Sequence, residues 1–394
     1  MKLKKILALT LALAMSAGLC ACGGGEEAPA PEAEGTDSAA TLKIGGIGPL
    51  TGAVATYGVA TQRGAQIAVD EINAMEDKAF AIEFDFQDDT GVAETAVAAY
   101  NTLKDWGVDV IYGTTTTGPC ITIASETNAD RIFQLTPSAS SPDVTAGKDN
   151  VFQMCFTDPN QGVTAANYVK DTGLATKVGV IYNNGDAYST GIAQGFINQC
   201  SALGLEVVTE QTFPADTNTD FNVQLTACKD GGAELVFMPI YYTPASLVLT
   251  QADAMGYDPI FFGGDGMDGI LNIEGFDTAL AEGLLLLTPF NATATDERTA
   301  NFVTKYQEAY GEIPNQFAAD GYDCMYAIYE ACLTIDGVGE MDNEALCDAL
   351  IAVFTSGEFK VDGITGLAMS WQANGEVNKA PMVVGVENGA YVTK

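Results

Sequence analysis

Two turns in this sequence carry the residue types from which an anion site is built. Tyr112-Gly113-Thr114-Thr115-Thr116-Thr117-Gly118-Pro119 reads as a strand end opening into a helix, and Thr136-Pro137-Ser138-Ala139-Ser140-Ser141-Pro142 follows the next apolar run. A glycine-rich helix N-terminus offers free amides and the positive end of the helix dipole, and both favour a carboxylate. Ser and Thr also cap helices for structural reasons alone, which accounts for one such turn. Two in succession at adjacent strand ends fit a small anionic ligand better.

Other candidate motifs fall short of chemistry. Gly45-Gly46-Ile47-Gly48 fails as a dinucleotide fingerprint, because its third glycine position is Thr51, and reads as a tight strand-to-helix turn. Ala187-Tyr188-Ser189-Thr190-Gly191 lacks the leading glycine of a hydrolase nucleophile elbow. Asp216-Thr217-Asn218-Thr219-Asp220 starts like a calcium loop. It has Phe221 and Ala227 where that loop needs glycine and a bidentate acid, so it reads as a solvated turn before a helix. The chain contains no histidine, which removes Ser-His and Cys-His catalysis and histidine metal ligands. No metal site or cofactor is expected, and an enzyme is the last reading.

Charge and cysteines narrow the class further. With 52 acidic against 17 basic residues the formal charge is −35, so nucleic acid and anionic surfaces are repelled. Beyond residue 22 the cysteines are Cys120, Cys155, Cys200, Cys228, Cys324, Cys332 and Cys347. Their odd number, irregular spacing and lack of a CxxC pair point to free buried thiols rather than a disulfide framework or zinc.

The elements that must position the two turns follow an alternating rhythm. Strands at 42–47, 82–86, 108–112 and 132–135 alternate with helices at 62–75, 93–106 and 121–128. A second series holds strands at 178–182, 205–212, 235–238 and 260–262 between helices at 161–171, 188–203, 221–229 and 244–255. Such alternation means βαβ units. The chain is thus α/β, two doubly wound parallel-sheet lobes with ligands beyond the carboxyl ends of the strands. A strand at 284–287 and helices at 299–310, 316–334 and 344–354 follow. Met382–Val386 and Ala390–Val392 read as a hairpin about Asn388-Gly389.

The N-terminal segment reads as an export signal. Lys2, Lys4 and Lys5 precede an apolar run from Ile6 to Leu19, and Leu19-Cys20-Ala21-Cys22 resembles a bacterial lipoprotein cleavage site. Residues 1–21 would be the signal peptide, Cys22 the lipidated residue, and the Gly-, Pro- and acid-rich residues 22–40 a flexible linker. The expected location is extracytoplasmic, anchored to the bacterial cell membrane by lipid.

TLKIGGIGPLTGAVATYGVATQRGAQIAVDEINA, residues 41–74, resembles the opening of the branched-chain amino-acid binding proteins of ABC importers. Further marks recur in order: Gln87-Asp88-Asp89-Thr90, Ala93-Glu94-Thr95-Ala96, Leu135-Thr136-Pro137-Ser138-Ala139, Ala187 to Gly191, Phe262-Gly263-Gly264-Asp265-Gly266, and Phe317-Ala318-Ala319-Asp320-Gly321-Tyr322-Asp323. The resemblance implies a class I periplasmic-binding-protein fold with three hinge crossings. Lobe 1 would be 41–155 plus 288–362, and lobe 2 would be 157–287 plus 363–394. It implies a ligand carboxylate held by the Thr117 hydroxyl and amide, with further ligand contacts through the Ser138 carbonyl and through the Ser140 amide and hydroxyl. Asp265, a glutamate in well-known members, would pair with the ligand ammonium, and Tyr57, Tyr188, Tyr241 and Phe317 would wall the cleft. The implied function is delivery of an amino acid, branched-chain favoured, to ABC permease subunits. Aromatic or polar amino acids, short amides, organic acids and a sensory ectodomain remain the alternatives. The positions of a lobe-1 disulfide found in some relatives are Gly91 and Thr116 here.

Overall fold

The computed structural model describes residues 40–214 and 218–394. The export segment, Cys22, most of the linker, and Asp216 and Thr217 of the acidic turn lie outside the described residues. Asp220 of that turn accepts a bond from the Asn222 amide at 3.0 Å, as a helix-opening turn should.

The first sheet contains β1 (Thr41–Gly48), β2 (Ala81–Asp88), β3 (Val110–Gly113), β4 (Phe133–Thr136) and β5 (Val151–Gln153). Its order is β2-β1-β3-β4-β5, parallel throughout, with α1 (Ala55–Ala74), α2 (Ala93–Trp106) and α3 (Thr117–Asp130) as crossovers. Val110, Ile111, Tyr112, Phe133 and Leu135 are fully buried, because the crossovers cover a parallel sheet on both faces.

The second sheet follows α4 (Asp158–Thr172). It is built from β6 (Lys177–Asn183), α5 (Ala187–Leu203), β7 (Glu206–Phe213), α6 (Asn222–Gly231), β8 (Leu235–Phe237), α7 (Tyr242–Ala254), β9 (Ile260–Phe262) and β10 (Leu285–Thr288). The chain then returns to the first sheet. α8 (Glu297–Tyr310) and α9 (Gln316–Cys332) pack on α1, and α10 (Asn343–Phe354) packs on β4. Finally β11 (Met382–Glu387) and β12 (Ala390–Thr393) add antiparallel to β10, giving the order β12-β11-β10-β9-β8-β6-β7. The hairpin turns on Asn388 and Gly389 at φ 53° and 74°, both positive as a tight I′ turn requires.

One expected boundary moves. Residues 363–379 do not join the second sheet. Trp371 Nε1 donates to the Gln153 carbonyl at 2.8 Å, and Gln153 N donates to Gly375 O at 2.9 Å, so this segment covers the open edge of β5. Isolated bridges Val361–Met369 and Trp371–Val377 fold it on itself. Its inward residues alternate over runs too short to register as a strand. Only from Met382 does the chain enter the second sheet.

Candidate functional site

The cleft residues come from the carboxyl ends of both sheets. α3 begins at Thr117, and its N-cap Thr116 makes no side-chain capping bond, so the first amides of this 14-residue helix are not covered by a cap. The Thr116 hydroxyl is itself buried without a partner. The two hydroxyl turns are tied together. Ser138 Oγ donates to Thr115 O at 2.6 Å, Thr136 Oγ1 to Thr114 O at 2.7 Å, and Ser140 N to Thr117 Oγ1 at 3.3 Å. The result is one rigid hydroxyl-lined floor.

Asp265 stands on the other wall, in a short turn after β9, only 3% exposed. Its Oδ1 accepts from Tyr188 Oη at 2.8 Å and from Gln161 Nε2 at 3.0 Å. Gln161 Oε1 in turn accepts from the Asp265 amide at 3.0 Å, and Gln316 Nε2 donates to the Asp265 carbonyl at 3.1 Å. Gln161 reaches this position because α4 and α5 cross closely. A Cβ on Gly162 would come within 2.4 Å of the α5 backbone, so only glycine permits the approach. Burial pushes the Asp265 carboxyl up to about 6, while the Tyr188 and Gln161 bonds pull it back toward the ionised form.

Aromatic rings fill the space between the walls. Tyr188 and Tyr241 stack at 5.0 Å, and Tyr57 meets Phe317 at 4.5 Å and Tyr241 at 5.5 Å. Tyr57, on α1, donates to Gly266 O and so bonds the two walls directly. Thr117, Ser138, Asp265, Tyr57, Tyr188, Tyr241 and Phe317 all line one cavity of about 20 Å³, with Thr115, Thr116 and Gly266. Ser140 does not line it. Its amide is taken by Thr117, and its hydroxyl lies against Asp158 behind the floor.

An acid facing a helix N-terminus across a water-poor gap can hold the two ends of a zwitterion. Residues 41–390 match the periplasmic binding protein family. The chain belongs to that family. It is similar to a Leu/Ile/Val-binding protein homolog of Brucella melitensis, at 34% identity over 58% of this chain and 62% of the relative, so it spans under two thirds of that relative's length. Among solved structures, a leucine binding protein from Thermotoga maritima superposes with a TM-score of 0.80 at 27% identity, covering 90% of this chain and 97% of that one. A branched-chain amino acid transporter substrate binding protein from Streptococcus pneumoniae, in complex with isoleucine, gives 0.80 at 28% identity, covering 89% and 97%.

Periplasmic binding proteins are solute-binding proteins that work outside the cytoplasm. Among the described residues no helix of this one is long and apolar enough to cross a membrane. The seven cysteines that follow the linker are free and buried. Ser189, the near-nucleophile, is occupied structurally, donating to Pro239 O at 2.6 Å and accepting from Asn183 N at 2.9 Å.

Sequence reasoning missed Gln161, Gln316 and Asp158. Asp158, the first residue of α4, is fully buried with the Ser140 hydroxyl beside it, and burial drives its carboxyl well above the ordinary range. A signal existed for Gln161, a long polar side chain beside Gly162 on the buried face of α4.

Proposed function

We propose that this periplasmic binding protein captures an amino acid, branched-chain favoured, and delivers it to the permease subunits of an ABC importer. The observation that carries the reading is the opposition of Asp265 to the uncapped start of α3. The ligand carboxylate takes the α3 amides and the Thr117 hydroxyl, while the Ser138 carbonyl, an acceptor, turns to the ligand ammonium and Ser140 supports the floor from behind. The ammonium pairs with Asp265, and the side chain lies among Tyr57, Tyr188, Tyr241 and Phe317. The lobes, joined by three crossings, swing together on the ligand and exclude water, which strengthens both charged contacts. Relatives that bind leucine and isoleucine support the branched-chain choice.

Calorimetric titration with leucine, isoleucine and valine tests this. Asp265→Ala should weaken the best of them by about thirtyfold to several thousandfold, the cost of leaving one member of a buried pair alone. Affinity within about threefold of wild type would remove Asp265 from the site.

The cavity wall favours one other reading. It holds no Leu, Ile, Val or Met, only aromatic rings and hydroxyls beside the acid, so a smaller or aromatic amino acid is the second candidate. A thermal-shift screen of the twenty amino acids separates the two. At about 100 times Kd the true ligand stabilises the fold by roughly 2.7 kcal/mol.

The lipid anchor completes the proposal. Leu19-Cys20-Ala21-Cys22 supports lipidation at Cys22. Cys22→Ser should shift the protein out of the membrane fraction, whereas Cys20→Ser should not, because stable anchoring takes two acyl chains. Equal membrane recovery of the Cys22→Ser protein would end that reading.

A further inference from the structure

A second cavity, of about 350 Å³, shares the turn that carries Asp265 but opens elsewhere. Its apolar walls include Leu286 of β10, Val384 of β11 and Phe290, with Ile313 at 61% exposure and Pro314 leading into α9. Elements of both lobes therefore enclose it, at the crossing from β10 to α8. The volume falls in the range of small-molecule sites.

Two ionisable groups reach this cavity, whose lining also includes Asn272, Asn291, Asn315 and three threonines. Asp268, 5% exposed, accepts from Gln316 N through Oδ2 at 3.0 Å. Tyr391 of β12 brings a buried hydroxyl against the Asp268 carboxylate. Burial raises the pKa of both groups, and the Asp268 charge raises that of Tyr391 further. No lysine or arginine lines the cavity, and the chain carries a formal charge of −35, so the local field favours a cation.

We propose that this cavity is a second small-molecule site, taking a short alkyl or aryl amine. Its ammonium sits between the Asp268 carboxylate and the Tyr391 hydroxyl, and its apolar body lies against Phe290, Leu286 and Val384. The pairing gives the buried acid a counter-charge, which an aliphatic alcohol of the same shape cannot do. The site is distinct from the amino-acid cleft, although Gln316 touches both Asp268 and Asp265.

Isopentylamine is the probe, titrated calorimetrically into the full-length protein with isopentanol as the uncharged control. Isopentylamine should bind and isopentanol should bind at least roughly tenfold more weakly. Tyr391→Phe should weaken the amine several-fold. Ala292→Trp, at a half-buried lining position, should abolish binding by filling the cavity while circular dichroism stays unchanged. Asp265→Asn should leave amine affinity within about threefold. No binding of isopentylamine at millimolar concentration overturns the proposal. So does binding that survives both Tyr391→Phe and Ala292→Trp, or binding lost in Asp265→Asn alone, which would locate the amine in the amino-acid cleft.

Discussion

Gln161 holds Asp265 at two points, giving a hydrogen bond to its carboxylate and taking one from its backbone amide, each at 3.0 Å. The side-chain amide thereby fixes both the position and the ionisation of the acid. Gln161→Leu removes one of two donors to Oδ1 and leaves the Asp265 amide unpaired. We expect ligand affinity to fall roughly tenfold to a hundredfold, from a loss of about 1–3 kcal/mol. The midpoint of the affinity–pH profile should also move upward, because a carboxylate with fewer donors holds its proton more tightly. An unmoved midpoint would reduce Gln161 to a packing residue.

The pH response of binding and of stability should run in opposite directions. Asp265 is held up to about 6 by burial, against an ordinary 3.8. An ammonium needs the ionised form, so affinity should fall as pH drops through 6, by roughly tenfold between pH 7.5 and pH 5. For the unliganded chain the sign reverses. A carboxyl with a raised native pKa binds its proton more tightly when folded, so its contribution is favourable below the unfolded value and is lost as pH rises through 6. Ionised Asp265 then costs roughly 3 kcal/mol at pH 7.5. Asp265→Asn should therefore raise unliganded stability at pH 7.5 and lose that advantage by pH 4. Denaturant titrations at the two pH values check the second effect, and calorimetry the first.

Asp158 should prove costly to the fold. Its carboxylate is fully buried, and burial raises it first; the Ser140 hydroxyl offsets part of that, and Asp265 nearby adds to it. Asp158→Asn should stabilise the protein at pH 8 by roughly 1–3 kcal/mol, and the gain should shrink as pH falls toward the ordinary carboxylate range. A destabilised variant at pH 8 would mean that the charge is needed where it stands.

Lys379 and Asp320 form the one ion pair, among the described residues, with both side chains almost wholly buried, at 2.8 Å. Burial holds Asp320 up to about 7 even with the ammonium beside it. Lys379→Met strands that acid and should cost about 3–5 kcal/mol, whereas Lys379→Met with Asp320→Leu should recover most of the loss. Urea unfolding of the single and double variants measures the difference.

Much of this arrangement could be read in the residues, for identifiable reasons. The alternation of strand and helix marks the parallel strands of both sheets, and Asn388-Gly389 marks a turn that needs two positive φ angles. Thr117, Ser138 and Asp265 follow strand ends, where a doubly wound fold collects its ligand contacts. Ser140 sits one step behind the floor because its amide is already spent on Thr117, a tertiary fact without a local signature. Residues 363–379 were misassigned because their structure is a pair of isolated bridges seated on a distant strand edge. Gln161 reads as an ordinary helix-opening residue and Asp158 as part of the preceding connection, and only the close crossing of α4 and α5 makes them interior.

The ion pair also sets the mechanics of closure. Lys379 is fastened to α9 by Asp320 and to the start of its own segment, residues 363–379, by Thr365, and Met382 is already paired into the second sheet. Only Ala380 and Pro381 lie between these two anchors, and the proline ring locks one of their few torsions. A tether of that length, spanning at most about 3.3–3.6 Å per residue, has almost no slack. It acts as a pin joint. The two lobes therefore cannot draw apart at this point, and rotation is the freedom the tether leaves there.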